Sequence, residues 1–354
     1  MARIWQVFGD DAHTMTKQLL EASEAIRLVP VDGTVALKPN LVLSGVAENG
    51  AVTHPGILSG CIEYLTDHGV RDITVIESSW IGDQTMRAFR RAGYDRVCDH
   101  YDVPFFDLKK DGTRSVQTPI GPIAICRRAL DADLLVDLPV LKGHCQTRMT
   151  CALKNLKGCI PDAEKRRFHT LGLTKPIAAL GATLRPGLTI VDSICGDLSF
   201  EEGGTPVQTN RMYLCADPVQ ADAYGLSLMG LATEDVPYVS LAEKFGAGST
   251  RWAADDLVSL NSPADAPSYP TPRGTVARLT RHVHADKACS ACFASLVRAL
   301  YETDATADDV YIGQGWQGAS VDGLGIGRCC AGATSCVMGC PPTSDAIVAT
   351  LAGR

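Results

Sequence analysis

Six of the chain's fourteen cysteines, Cys289, Cys292, Cys329, Cys330, Cys336 and Cys340, fall within one stretch near the C-terminus. So dense a grouping of soft ligands points to a metal before it points to ordinary packing. Cys289 and Cys292 form a C-x2-C pair, so one short turn can aim two thiolates at the same ion. The others follow in GLGIGRCCAGATSCVMGCPP, whose glycines let the backbone fold closely round a bulky inorganic core. Cys336, Cys340 and Pro341 repeat the C-x3-C-P ending of bacterial ferredoxins, although the rest of the ferredoxin run is absent. The pattern predicts an iron-sulfur cluster with Cys289, Cys292, Cys329 and Cys340 as its four ligands. A structural zinc would use the same residues, but two C-x2-C pairs would favour it and only one is present. Buried thiols or disulfides are the remaining reading.

At 354 residues the chain exceeds what one core usually organises, and 45% hydrophobic with 21% charged residues is ordinary globular usage. Two domains are expected, residues 1–261 and 274–354, joined across the proline-dense segment SPADAPSYPTPR from Ser262 to Arg273. No basic-flanked apolar leader and no run long enough for a membrane helix are visible, which predicts a cytoplasmic protein with reduced thiols. A net charge of -7 argues against a nucleic-acid partner, since phosphate backbones are held by clustered basic residues.

Through about the first 230 residues, strand-like and helix-like segments alternate, as βαβ units do. Thr34–Leu37 (TVAL), Asp72–Glu77 (DITVIE), Leu134–Val140 and Leu188–Val191 are the clearest strands. The fold class is therefore α/β, a mostly parallel sheet flanked by helices, with a small C-terminal iron-sulfur domain.

Ligands of such sheets sit beyond the carboxyl ends of the strands, so polar residues following a strand pattern are the site candidates. Lys38-Pro39-Asn40 follows TVAL, with Thr53-His54-Pro55 close behind; Glu77 closes the second strand; Lys142-Gly143-His144 closes the third. The segment QTRMTCALKNLKG from Gln146 is predicted to be one helix, because Thr147, Thr150, Cys151, Lys154, Asn155 and Gly158 then share a face. That face carries hydroxyls, an amide and a lysine without a carboxylate, which is donor chemistry for an anion. Met149, Ala152, Leu153 and Leu156 would pack on the sheet. Lys157 joins the substrate-binding candidates, and His169, in the basic segment EKRRFH, is expected on a flap that closes over the ligand. Asp217, ahead of Pro218, is most simply a helix N-cap.

The KPN box at Lys38, LPVLKGH with the downstream LKNLKG, ADPVQADA from Ala216, IGQGWQG from Ile312 and the GCPP ending together resemble the family called domain of unknown function 362. That resemblance implies one [4Fe-4S] cluster in the C-terminal domain, with Cys329 the best match for the third ligand. It supplies no reaction.

Two function classes follow. In one, the cluster passes single electrons to a small anionic organic substrate bound between the domains, with Lys38, Lys142 and Lys154 as cations and His54, His144 or His169 managing protons. In this reading Lys38, His54, Lys142, His144 and His169 are catalytic. Asn40, Glu77, Thr147, Thr150, Lys154, Asn155 and Lys157 hold the substrate, and a ferredoxin-like protein is the expected electron donor. In the other, the cluster acts as a Lewis acid in a lyase or dehydratase. A pure electron carrier needs little more than the cluster domain. A homo-oligomer fits every reading. No nucleotide-binding glycine motif is present.

Overall fold

The computed structural model describes residues 3–198, 201, 203, 206–262, 275–288, 290–303 and 309–353. It divides into two compact units, one of Met1–Gly143, Thr147–Arg166 and Leu173–Thr271, the other of His144–Gln146, Arg167–Gly172 and Pro272–Arg354. Two short segments of the N-terminal sequence thus cluster with the C-terminal unit. Of the expected linker only Ser262 is described; residues 263–273 lie outside the described residues.

In chain order the strands up to Ser259 are β1 (Ile4–Phe8), β2 (Val35–Pro39), β3 (Ile73–Glu77), β4 (Phe105–Asp107), β5 (Thr113–Thr118), β6 (Gly121–Cys126), β7 (Leu134–Leu138), β8 (Lys142–His144), β9 (Arg148–Thr150), β10 (Leu188–Asp197), β11 (Pro206–Cys215) and β12 (Leu257–Ser259), all in the first unit except His144 at the end of β8. Eight of them make one sheet in the order β12-β1-β11-β10-β7-β2-β3-β4. The run β10-β7-β2-β3-β4 is parallel, β11 is antiparallel to both β10 and β1, and β12 is parallel to β1. β11 is therefore the one reversed strand of this sheet. β5 and β6 form an antiparallel hairpin, and β8 and β9 a short pair.

The central strands form because their sequences suit burial on both faces: VALKP and LLVDL are buried at every position. Helices Ala12–Ala22 and Pro55–Asp67 pack together beside the sheet. Asp11 caps the first by accepting from His13 N at 3.1 Å and Thr14 N at 3.3 Å. Gly60 allows the close approach, since a Cβ there would sit 2.8 Å from His13 O. Leu19, Leu37, Ile57, Ile62, Val75 and Leu138 are fully buried in this core, each contributing about 1.5–3 kcal/mol by leaving water. Among the described residues, no helix is long and apolar enough to cross a membrane.

The second unit holds β13 (Val283–Ala285), β14 (Val310–Ile312), β15 (Val321–Ile326) and β16 (Ala333–Val337). They pair in sequential order and all in parallel. Helices Ser290–Thr303 and Ser344–Ala352 pack on each other. Leu296, Leu300, Ile312, Leu324, Ile326 and Ile347 belong to the core beneath them.

The helix expected from Gln146 is not one. Arg148 has φ +63° and Cys151 lies at φ -155°, ψ -141°, so residues 148–150 run as β9 and a helix begins only at Ala152. It ends at Asn155 and passes into a 3-10 turn, Leu156–Cys159. The periodicity was met by two different backbones, of which only the second is helical. The expected flap at EKRRFH is likewise the interior of a helix, Asp162–Leu171.

Candidate functional site

The carboxyl ends of β2, β3 and β7 carry a buried polar network in the first unit. Lys38 is fully buried and donates from Nζ to Glu77 Oε2 at 2.9 Å and to Pro39 O at 3.0 Å. Glu77 is also held by backbone amides, Ser78 N to Oε1 at 2.7 Å and Leu41 N to Oε2 at 3.2 Å. Burial is the largest influence and opposes the charge on Lys38, but Glu77, with Cys159 and Asp137 adding to it, tips the balance and the lysine's pKa is raised. The sequence presented Lys38 as a cation for substrate; the structure spends it on Glu77. Asn40 and the segment before His54 are stitched together, Asn40 N donating to Thr53 Oγ1 at 2.9 Å and Thr53 Oγ1 to Leu138 O at 2.7 Å.

Lys142 is fully buried and donates to the carbonyls of Ala51 at 2.6 Å and Glu201 at 3.0 Å. Lys154, also buried, is ion-paired to Glu201 Oε1, and Thr150 Oγ1 lies 3.4 Å from the same oxygen. The face expected to lack a carboxylate thus receives one from the connection between β10 and β11. Thr147 Oγ1 donates to Met149 O at 3.1 Å, a local turn contact. Asn155 Nδ2 donates to Asp137 Oδ1 at 2.8 Å.

Lys157 is half-buried. Burial, and after it the charge of Lys154, lower its pKa to about 7, with Lys165 adding to the effect and Glu201 opposing it. Lys165 is buried and donates to Ser78 Oγ and Ser79 O, both at 2.7 Å; burial lowers it to about 8 against the pull of Asp162. The charges of Lys154 and Lys165 both disfavour that of Lys157, a strain that an anion beside Lys157 would relieve.

Two carboxyls that the sequence reading left without a role lie under this group. Burial raises Asp137 to about 8 and Asp222 to about 7. Asp222 Oδ2 accepts from Leu153 N at 3.3 Å and so anchors the start of the short helix. Asp137 Oδ2 and Asp222 Oδ1 are buried without a hydrogen-bond partner among the described residues, which suits protonated acids. A lone acid inside the apolar run LLVDL was the available signal for Asp137. Asp217 is an N-cap as expected, accepting from Val219 N at 2.8 Å and Gln220 N at 3.0 Å.

The three histidines part company. His54 belongs to the first unit and its Nδ1 lies 2.8 Å from Asp192 Oδ2. His144 and His169 belong to the second. His144 is buried, with Nδ1 accepting from Gln146 N at 3.1 Å, while His169 is half-buried on its helix.

In the second unit, four parallel strands place all their carboxyl ends on one edge, and cysteines follow three of these ends. Cys292 lies after β13, Cys329 and Cys330 after β15, and Cys340 after β16. Cys289 lies outside the described residues. Contacts join these segments: a Cβ on Gly327 would be 3.3 Å from Cys292 Sγ, and Arg328 N donates to Gly339 O at 2.9 Å. Cys330 is buried with Sγ 3.8 Å from Gly313 O, whereas Cys336 sits within β16, its Sγ 3.6 Å from Gly327 O. Cys329 is half-buried and Cys340 exposed. Cys292 lies in the first turn of the helix Ser290–Thr303, Cys329 and Cys330 in the 3-10 turn Arg328–Cys330, and thiols of this kind are soft ligands. Among the described residues, no three His, Cys, Asp or Glu side chains are already grouped as a metal-binding set.

Residues 35–227 match the family described as domain of unknown function (DUF362), and the chain belongs to that family. The match runs from β2 past β11 and ends before the cysteine-bearing segment. The thylakoid-associated protein sll1697 of Synechocystis sp. is 23% identical over 247 residues, 65% of this chain and 73% of that protein. Among solved structures, the lactate racemase apoprotein from Thermoanaerobacterium thermosaccharolyticum aligns over 64% of this chain with a TM-score of 0.45 and 13% identity. A structural-genomics protein from Thermotoga maritima aligns over 68% with a TM-score of 0.38 and 11% identity. The chain spans 57% and 60% of those two proteins.

Proposed function

We propose that this DUF362 protein is a [4Fe-4S] oxidoreductase acting on a small anionic organic substrate. The observation that carries the cluster is the arrangement of the second unit, where Cys292, Cys329 and Cys340 follow three carboxyl ends on a single edge of a parallel sheet. Cys289 completes the ligand set in this reading. When bound, such a cluster supplies single electrons, and a ferredoxin-like protein is the expected donor. Lys154 and Lys157 bind and orient the substrate's negative group, with Lys165 adding to the positive field. Asn155 and Asp137 hold the turn that presents the two lysines. His54 is the candidate for moving a proton at its Nε2.

The test is protein purified without oxygen from iron-replete cells. About four iron and four sulfide per chain are expected, with a paramagnetic signal appearing on one-electron reduction. Stoichiometric zinc without iron would overturn the cluster. A cluster that forms but cannot be reduced would move the chain to the non-redox lyase class.

A further inference from the structure

Asp192 holds His54 in two ways. The backbone N–H of His54 and its Nδ1 each lie 2.8 Å from Asp192 Oδ2. The carboxylate is itself fixed: it is fully buried, and Oδ1 accepts from Ile194 N at 3.2 Å. Its backbone is pinned on both sides, Asp192 N donating to Pro139 O at 2.8 Å and Leu141 N donating to Asp192 O at 2.9 Å. The residue before a proline has few conformations open to it, and Pro55 follows His54 at the start of helix Pro55–Asp67. Thr53, on the other side, is tied to Asn40 and Leu138. The ring therefore has little freedom, and its side chain is 16% exposed.

A buried carboxylate accepting at Nδ1 selects the tautomer that carries its proton there, which leaves the lone pair on Nε2. Among the described residues, no hydrogen bond is made to Nε2. A purely structural tie would need only the backbone amide; the ring bond adds orientation and a counter-charge.

We propose that Asp192 is the positioning residue of a proton-transfer dyad in which His54 Nε2 is the general base toward the small anionic substrate. This rests on the proposed function for the identity of the substrate, not for the dyad itself. The proton leaves a C–H or O–H bond of the substrate for Nε2, the electron pair of that bond stays on the substrate, and Asp192 stabilises the resulting imidazolium. Nε2 later returns the proton to product or water. The titratable groups that act on the ring are Asp192 on β10 and Glu48 in the turn Ala47–Asn49; Cys195 on β10 and Tyr94, whose hydroxyl donates to Thr53 O at 2.9 Å, act on Asp192. Burial disfavours the imidazolium, but Asp192 and then Glu48 favour it, and the net shift for His54 is upward.

The experiment needs no substrate. Ring-nitrogen NMR of the full chain is recorded between about pH 5 and 9, a window set by the ordinary histidine value of about 6.5. His54 is assigned by its loss in His54→Gln, and Asp192→Asn is measured alongside. Neutral His54 should be the Nδ1–H tautomer, titrating above the ordinary histidine range, and Asp192→Asn should lower its proton affinity about tenfold, one pKa unit. An Nε2–H tautomer, or a titration unmoved by Asp192→Asn, overturns the dyad. If Asp192→Asn does not fold, the wild-type tautomer decides alone. Protein that shows the dyad but carries no iron sinks only the oxidoreductase reading; iron-loaded protein with the wrong tautomer sinks only the dyad.

Discussion

Gly158 turns its bare Cα toward Glu77, and a Cβ on it would lie 1.8 Å from Glu77 Oε1 and 2.8 Å from Lys38 Nζ. The buried Lys38–Glu77 pair and the turn that carries Lys157 are thus in direct contact, with no room for one more carbon. Gly158→Ala should displace one charge of the pair, and a buried ion pair broken on one side costs about 3–5 kcal/mol. Urea denaturation should show a loss of that order; a loss below about 1 kcal/mol would mean that the turn yields without disturbing the pair.

Asp137 supplies a pH signature. Its pKa is raised to about 8 by burial, against about 3.9 in an unfolded chain. Between those values the folded state holds a proton that the unfolded state has lost, so its contribution is intact below about pH 4 and disappears as pH rises toward 8. Asp137→Asn keeps an acceptor for Asn155 and removes the titration. Measured against wild type, the variant should gain about 2 kcal/mol or more between pH 5 and pH 8, on the scale of about 1.4 kcal/mol per pKa unit. Parallel stability curves would show that Asp137 is ionised throughout.

Lys157 works in the opposite sense on ligands. Lowered to about 7, it gains its charge as pH falls, so anion binding should strengthen from pH 8 to pH 6. Sulfate is the suitable probe because it does not titrate there. Lys157→Ala should bind sulfate more weakly at pH 6 and lose most of the pH dependence; an unchanged profile removes Lys157 from the site.

Lys154→Ala should leave the fold and iron content intact while weakening sulfate binding about tenfold, or 1.4 kcal/mol. Calorimetry on the anaerobic protein reads this directly. If the variant unfolds or loses iron, the pair with Glu201 is structural and the anion reading of this segment fails.

Serine in place of Cys289, Cys292 or Cys340 should abolish the iron and sulfide expected in protein purified without oxygen. Cys336→Ser should keep both, since Cys336 lies inside β16 and not beyond its end. Loss of iron in Cys336→Ser would exchange the assigned ligand.

How much of this was legible in the sequence depended on how local the cause was. β2, β3, β7 and β10 could be read because burial on both faces leaves a short, largely apolar run at the start of each strand. β11 could not: PVQTNRMYLC mixes polar and apolar positions, and its reversal depends on pairing with β10 and β1. Lysines were visible as lysines, but their partners were not, because Glu77 and Glu201 reach Lys38 and Lys154 from other strands and connections. The 146–158 segment was misread because a side-chain period constrains the backbone only where nothing else does. There the pairing of β8 with β9 and the grip of Asp222 on Leu153 N set the path.

The connection between β10 and β11 already neutralises Lys154 through the side chain of Glu201 and holds Lys142 through its carbonyl. Any ligand of Lys154 therefore enters by exchange, displacing a resident carboxylate, and the affinity measured is a difference between two anions. That sets a threshold. In the proposed site a singly charged carboxylate would gain little over Glu201, whereas a dianion, or an acid with a second oxygen for Lys157, would gain more. Discrimination among small metabolites by charge number would then need no dedicated specificity pocket, only an internal competitor of fixed strength.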